Sequence, residues 1–172
     1  MSTEADNLLS NEELSTQVLC RLVADLLMKK GWMLATAESC TGGMIAAACT
    51  DLAGSSRWFD RGFVSYSNEA KTAMLGVPKA VIDVHGAVSE EVVRAMAFGA
   101  ARQSQAKLSV AVTGIAGPGG GSPDKPVGTV WFGFSAARQL TSEMRCFAGD
   151  RATVRAATVR HALQRLLALL DA

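Results

Sequence analysis

The chain has 172 residues, of which 49% are hydrophobic, 19% charged and 6% aromatic, with 17 basic and 16 acidic side chains and a net charge of +1. That length suits one domain able to bury a core without metal or disulfide support. The balanced charge gives no general attraction to nucleic acid or to an anionic membrane surface, so neither is expected as a partner.

Residues 1–9 are polar and read as a loose leading segment, with residues 10–172 as a single domain. Ser10 with Glu13 forms a capping-box pattern, flanked by a Leu9/Leu14 staple, and predicts a helix start. Leu14, Val18, Leu19, Leu22, Val23, Leu26 and Leu27 recur at helical spacing up to Gly31. Trp32–Ala37 then reads as a short buried strand, and 43–52 as a second helix. Gly62–Tyr66 predicts a strand, followed by Ser67-Asn68 as a helix N-cap, and Val88-Ser89-Glu90-Glu91 opens another helix. Leu108–Val112 predicts a third strand ending in Thr113-Gly114. Val127–Ser135 and Leu140–Phe147 predict a hairpin, and Asp150 caps a final helix. Strands alternating with helices imply a three-layer α/β/α domain with a mixed, mostly parallel sheet of about five strands.

Ligands in such sheets gather beyond the C-terminal ends of parallel strands. Three segments leave predicted strands there, 39–43, 66–71 and 113–121, and their convergence would make one pocket. Ser39 sits where a strand turns into a helix, beside backbone N–H groups able to hold an anion or a developing oxyanion. It reads either as a nucleophile or as a helix cap. Cys40 is a rival nucleophile or a buried filler. Lys71 is the candidate base, against the ordinary fate of a lysine as a solvated charge. A base needs the neutral amine, which burial would favour. Tyr66, the only tyrosine, stands at a strand end where its hydroxyl could reach both, or is a half-buried aromatic with a wet tip. Thr113-Gly114-Ile115-Ala116-Gly117-Pro118-Gly119-Gly120-Gly121 lets backbone approach a ligand closely, or is a flexible loop; it is neither a Walker loop nor a dinucleotide fingerprint. Lys125 reads as a phosphate contact or a solvated charge, and Asp150-Arg151 with Arg155 at the last helix as an anion site or a subunit contact, or as ordinary capping and surface charge.

The four cysteines (Cys20, Cys40, Cys49, Cys146) are scattered without a C-x-x-C pair, and His85 and His161 are the only histidines, so no metal site is expected. No apolar stretch approaches the ~18 residues of a spanning helix, and the polar N-terminus is unlike a signal peptide, so a cytoplasmic location is expected. Alanine-rich helix faces suit a homodimer.

Glu38-Ser39-Cys40-Thr41-Gly42-Gly43, Tyr66-Ser67-Asn68-Glu69-Ala70-Lys71, Gly86-Ala87-Val88-Ser89, the 113–120 run and Gly149-Asp150-Arg151 together resemble the CinA C-terminal family. The resemblance spans about Leu14 to Leu170 and is to stand-alone members, without the family's nucleotide-hydrolysing domain. It implies deamidation of nicotinamide mononucleotide to nicotinic acid mononucleotide and ammonia, in pyridine nucleotide salvage. The alternatives are a serine–lysine amidohydrolase acting on another small amide and a non-catalytic nucleotide-binding module. The catalytic serine, lysine and tyrosine of the family fall on Ser39, Lys71 and Tyr66. Substrate contacts are expected from Thr41, Gly42 and Gly43 after the nucleophile, and from Thr113, Gly114, Ala116, Gly117 and Gly119 around the ribose phosphate. No cofactor is implied.

Overall fold

Two strands buried on both faces hold the centre of the sheet. β1 (Leu34–Glu38) and β3 (Leu108–Gly114) run parallel, with Leu34 beside Leu108 and Glu38 beside Val112. The computed structural model describes residues 14–172, and within them the sheet has five strands in the order β2-β1-β3-β4-β5. β2 (Phe59–Val64) is the parallel edge strand on β1; β4 (Thr129–Ala136) and β5 (Gln139–Cys146) extend the sheet antiparallel from β3. Two of the four pairings are parallel, and only β4 opposes the common strand direction. The expected mixed sheet is present.

Helices cover both faces. α1 (Thr16–Lys30), α2 (Met44–Thr50) and α6 (Arg151–Asp171) pack on one, where Leu19, Val23 and Leu27 meet Val110, Phe132 and Leu163. Each such fully buried Leu, Val or Phe contributes roughly 1.5–3 kcal/mol of transfer free energy. α3 (Asn68–Leu75), α4 (Lys79–His85) and α5 (Glu90–Arg102) pack on the other. There the strands present Ala35, Ala37 and Ala111 to Val93, Met96 and Ala97, and small side chains let α5 sit close. Gly99 on α5 is the tightest point: a Cβ there would lie 2.0 Å from the carbonyl oxygen of Leu75 on α3. That contact presses α3 against α5 and so sets where Lys71 can reach.

Several predicted boundaries move. The Ser10 capping box and the loose 1–9 segment lie outside the described residues; α1 itself is capped by Ser15, whose hydroxyl accepts from the Val18 N–H. Val18 and Leu22 of the predicted stripe face outward, and Cys20 and Ala24 are buried instead. The register follows packing against α6, which selects a different arc of the same helix. β2 begins three residues earlier than predicted, because an edge strand with one open face can carry Asp60 and Arg61. α4 was not predicted; Pro78 at its N-cap and a run of Val and Ile hide a seven-residue helix. The 139–146 strand joins 129–136 through Ala137 and Arg138, both left-handed, as a two-residue hairpin turn requires.

Candidate active site

β1 leads to α2 on one face of the sheet and β2 leads to α3 on the other, so a crevice opens where the two connections diverge. At the end of β1 the Ser39 N–H still donates to the Val112 carbonyl at 3.1 Å. The chain then reverses: the Gly42 N–H donates to the Ser39 carbonyl at 3.0 Å, and Gly42 and Gly43 both take left-handed φ values of 59° and 102°. Side chains at those two positions would be strained, which explains a glycine pair there.

Glu38 holds this turn from below. It is 1% exposed, and its carboxylate accepts from the Thr41 hydroxyl at 2.6 Å, the Ile45 N–H at 2.8 Å and the Ala46 N–H at 3.0 Å. The first turn of α2 is thereby capped by a strand residue rather than left open for a ligand. From α6, Arg155 donates to the carbonyls of Cys40 at 3.0 Å and Thr41 at 3.2 Å, fixing the outer side of the turn. Sequence reasoning missed Glu38. Its signal was an acidic residue ending an otherwise apolar strand, which folding tolerates only with donors to meet it.

Ser67 caps α3 by accepting from the Ala70 N–H, and one turn later Lys71 points back under β2. Lys71 is 1% exposed and lies in no ion pair among the described residues; its Nζ is 3.0 Å from Ser39 Oγ, 3.0 Å from the Ser65 carbonyl and 3.2 Å from the Tyr66 carbonyl. All three acceptors are uncharged. Burial therefore pulls the Lys71 pKa below the ordinary lysine value, with the Cys40 thiol acting weakly the other way. Cys40 itself is buried, and burial pushes its thiol up to about 11. That thiol stays protonated near neutral pH, so Cys40 behaves as a filler.

The cleft over Ser39 has a volume of about 230 Å³. Ser39, Tyr66, Lys71, Thr113, Gly114 and Ala116 all line it, so the three predicted segments converge. Asn68, Ala87 and Val88, not expected as substrate contacts, complete the wall together with Cys40 and with Arg151, one of the candidate anion contacts. The remaining expected contacts lie elsewhere. Thr41 is buried on Glu38, Gly42 and Gly43 form the turn beneath, and Gly117 and Gly119 sit outside the wall. Tyr66 also departs from expectation: its backbone carbonyl, not its hydroxyl, meets Lys71. The ring is 61% exposed and its hydroxyl accepts from Arg151 at 3.3 Å. Arg151 donates in addition to the Gly117 carbonyl at 3.0 Å, tying α6 to the glycine-rich loop. Lys125 donates to the His85 carbonyl, away from the cleft. Among the described residues no group of three His, Cys, Asp or Glu side chains lies close enough to hold one metal ion. No described helix is long and apolar enough to cross a membrane.

The profile of the CinA C-terminal domain matches residues 16–170. The chain belongs to the CinA C-terminal domain family. Its relatives include the nicotinamide-nucleotide amidohydrolase PncC of Escherichia coli strain K12, 52% identical over 149 residues covering 86% of this chain and 90% of that one. PncC of Pseudomonas putida is 56% identical over 134 residues, covering 78% and 84%. Among solved structures, the competence damage-inducible protein A from Klebsiella pneumoniae superposes with a TM-score of 0.89 at 43% identity, covering 92% of this chain and 98% of that chain.

Proposed function

We propose that this CinA-family chain is an amide hydrolase that converts nicotinamide mononucleotide and water to nicotinic acid mononucleotide and ammonia, with Ser39 as nucleophile and Lys71 as base. The observation that carries the reading is the 3.0 Å approach of a buried lysine amine to the Ser39 hydroxyl, with no carboxylate among the described residues paired to the amine to hold it charged. The relatives named as nicotinamide-nucleotide amidohydrolases supply the substrate class.

In this mechanism neutral Lys71 takes the Ser39 proton as Oγ attacks the carboxamide carbon, giving a tetrahedral oxyanion and an ammonium-form lysine. The N–H of Cys40, directly after the nucleophile, faces that oxyanion; one such donor is worth about 3–4 kcal/mol in the transition state. Lys71 returns its proton to the departing nitrogen, the C–N bond breaks, and ammonia leaves an acyl ester on Ser39. Lys71 then takes a proton from water, whose oxygen attacks the ester carbon. Collapse releases the carboxylate and restores the serine. Arg151 is the cation on the wall besides Lys71, and it meets the 5′-phosphate, with Thr113, Gly114 and Ala116 against the ribose. Tyr66, linked to Arg151, closes the rim over the pyridine ring.

The test is ammonia release from nicotinamide mononucleotide by purified variants. Ser39→Ala and Lys71→Met should each lose about 10³-fold or more in kcat, while Cys40→Ala keeps most of it. Arg151→Ala should raise KM for the mononucleotide more than it lowers kcat. Undiminished turnover in Ser39→Ala, or loss confined to Cys40→Ala, overturns the assignment.

A further inference from the structure

A second cleft, of about 820 Å³, opens at the other end of the sheet, beneath the N-terminal ends of β1 and β3 and the β4–β5 turn. It lies about 20 Å from Ser39, the span of a strand running from Trp32 to the nucleophile. Two flat side chains line it: Trp32 before β1, and Phe98 on α5, which is 52% exposed although Ala97 and Ala100 beside it are buried. Three cations line it as well, Arg102 from the end of α5, Lys107 before β3 and Arg138 in the hairpin turn. No Asp or Glu side chain does.

Among the described residues none of these three cationic side chains makes an ion pair or a hydrogen bond. A carboxylate that reaches the lining residue Gln105 is already engaged: Asp60 pairs with Arg61 at 3.1 Å and accepts the Gln105 N–H at 2.9 Å. Lys30, 5.6 Å over the Trp32 ring, adds a fourth positive charge at the rim. The chain as a whole carries only +1, so this cleft concentrates charge that the rest of the surface cancels. Gathered like charges repel and raise the local potential, and a bound anion relieves both. The exposed Phe98 ring and the half-buried Trp32 ring beside them select an anion that also has a flat face.

We propose that this cleft is a second ligand site that binds a nucleotide, with the base against Trp32 and Phe98 and the phosphates on Arg102, Lys107 and Arg138. The site is independent of the Ser39 cleft and of the reaction proposed there. An extended nucleic acid is disfavoured because the positive charge is confined to one cleft and does not continue as a stripe.

Titration of the full chain with ADP at physiological ionic strength tests this, read by tryptophan emission and by equilibrium dialysis. ADP should bind saturably and change the emission of Trp32; the emission change should vanish in Trp32→Phe, since Trp58 is buried and Trp131, packed partly buried against the core, does not line the cleft. Arg102→Ala with Arg138→Ala should weaken ADP at least tenfold while leaving the melting temperature and the ammonia-releasing activity unchanged, both side chains being exposed. Ser39→Ala should bind ADP as the wild type does. Four results overturn the proposal: no ADP retained in dialysis, affinity unchanged in the double variant, inorganic phosphate binding as tightly as ADP, or a single-stranded oligonucleotide binding more tightly than ADP.

Discussion

Replacing Glu38 with alanine should destabilise the protein by about 3 kcal/mol, and the structure says why. The carboxylate accepts three bonds in the interior, from the Thr41 hydroxyl and from the Ile45 and Ala46 amides. Alanine leaves two N–H groups of the first turn of α2 with no acceptor. Loss of an N-cap alone costs about 0.5–2 kcal/mol, and each bond to a charged group contributes roughly 1.5–3 kcal/mol. Against this stands relief of the carboxylate's own desolvation, together with water that can enter the vacated space, so the losses do not add in full. For a domain of this size about 3 kcal/mol lowers the melting temperature by roughly 6–12 °C. Urea unfolding should show a lower midpoint with an unchanged m value. Glu38→Gln keeps one acceptor oxygen but sets its NH₂ against another donor, and should lose about half as much. Because Ser39 is the next residue, Glu38→Gln assayed at a temperature where it is folded should lower kcat more than it alters KM. A loss under about 1 kcal/mol in Glu38→Ala, or a glutamine variant worse than the alanine one, would refute the capping argument.

Deamidase activity should rise with pH as Lys71 loses its proton and level off below the ordinary lysine value, because burial lowers the Lys71 pKa; Lys71→Arg, always charged, should be inactive across the same pH–rate profile. Gly99→Ala forces a methyl to within 2.0 Å of the Leu75 carbonyl and should cost about 2–3 kcal/mol in urea unfolding, while moving α3 and reducing kcat. Burial holds His161 below the usual histidine value, with Glu143 opposing and Arg145 and Arg165 reinforcing the shift. The unfolded chain therefore binds more protons below pH 6.5, and stability should fall as pH drops from 6.5 through the folded value. His161→Gln should flatten that segment of the stability–pH curve.

Local signals were enough to find most elements. Ser67, Ser89 and Asp150 each accept from an N–H three residues on, as their sequence positions implied, because a cap is an interaction between near neighbours along the chain. Glycine pairs and strand ends placed the Ser39 turn and the Thr113–Gly114 end for the same reason. The arc of α1 that is buried could not be read this way, since the choice between Val18 and Cys20 depends on α6, more than a hundred residues distant.

The site divides along the same line. The sequence offered Ser39, Lys71 and Tyr66 as candidates through their places at strand ends and helix starts, with a cap, a solvated lysine and a wet-tipped aromatic as the alternatives, and the CinA resemblance joined the three as one site. Only the folded chain decided how each is placed and what it touches there. Among the described residues Lys71 lies in no ion pair because the approach of α3 to α5 buries it against carbonyls, Glu38 holds the start of α2, and the Tyr66 hydroxyl turns to Arg151. Burial and charge partnership depend on segments far apart in the chain, and no local spacing encodes which of them will meet.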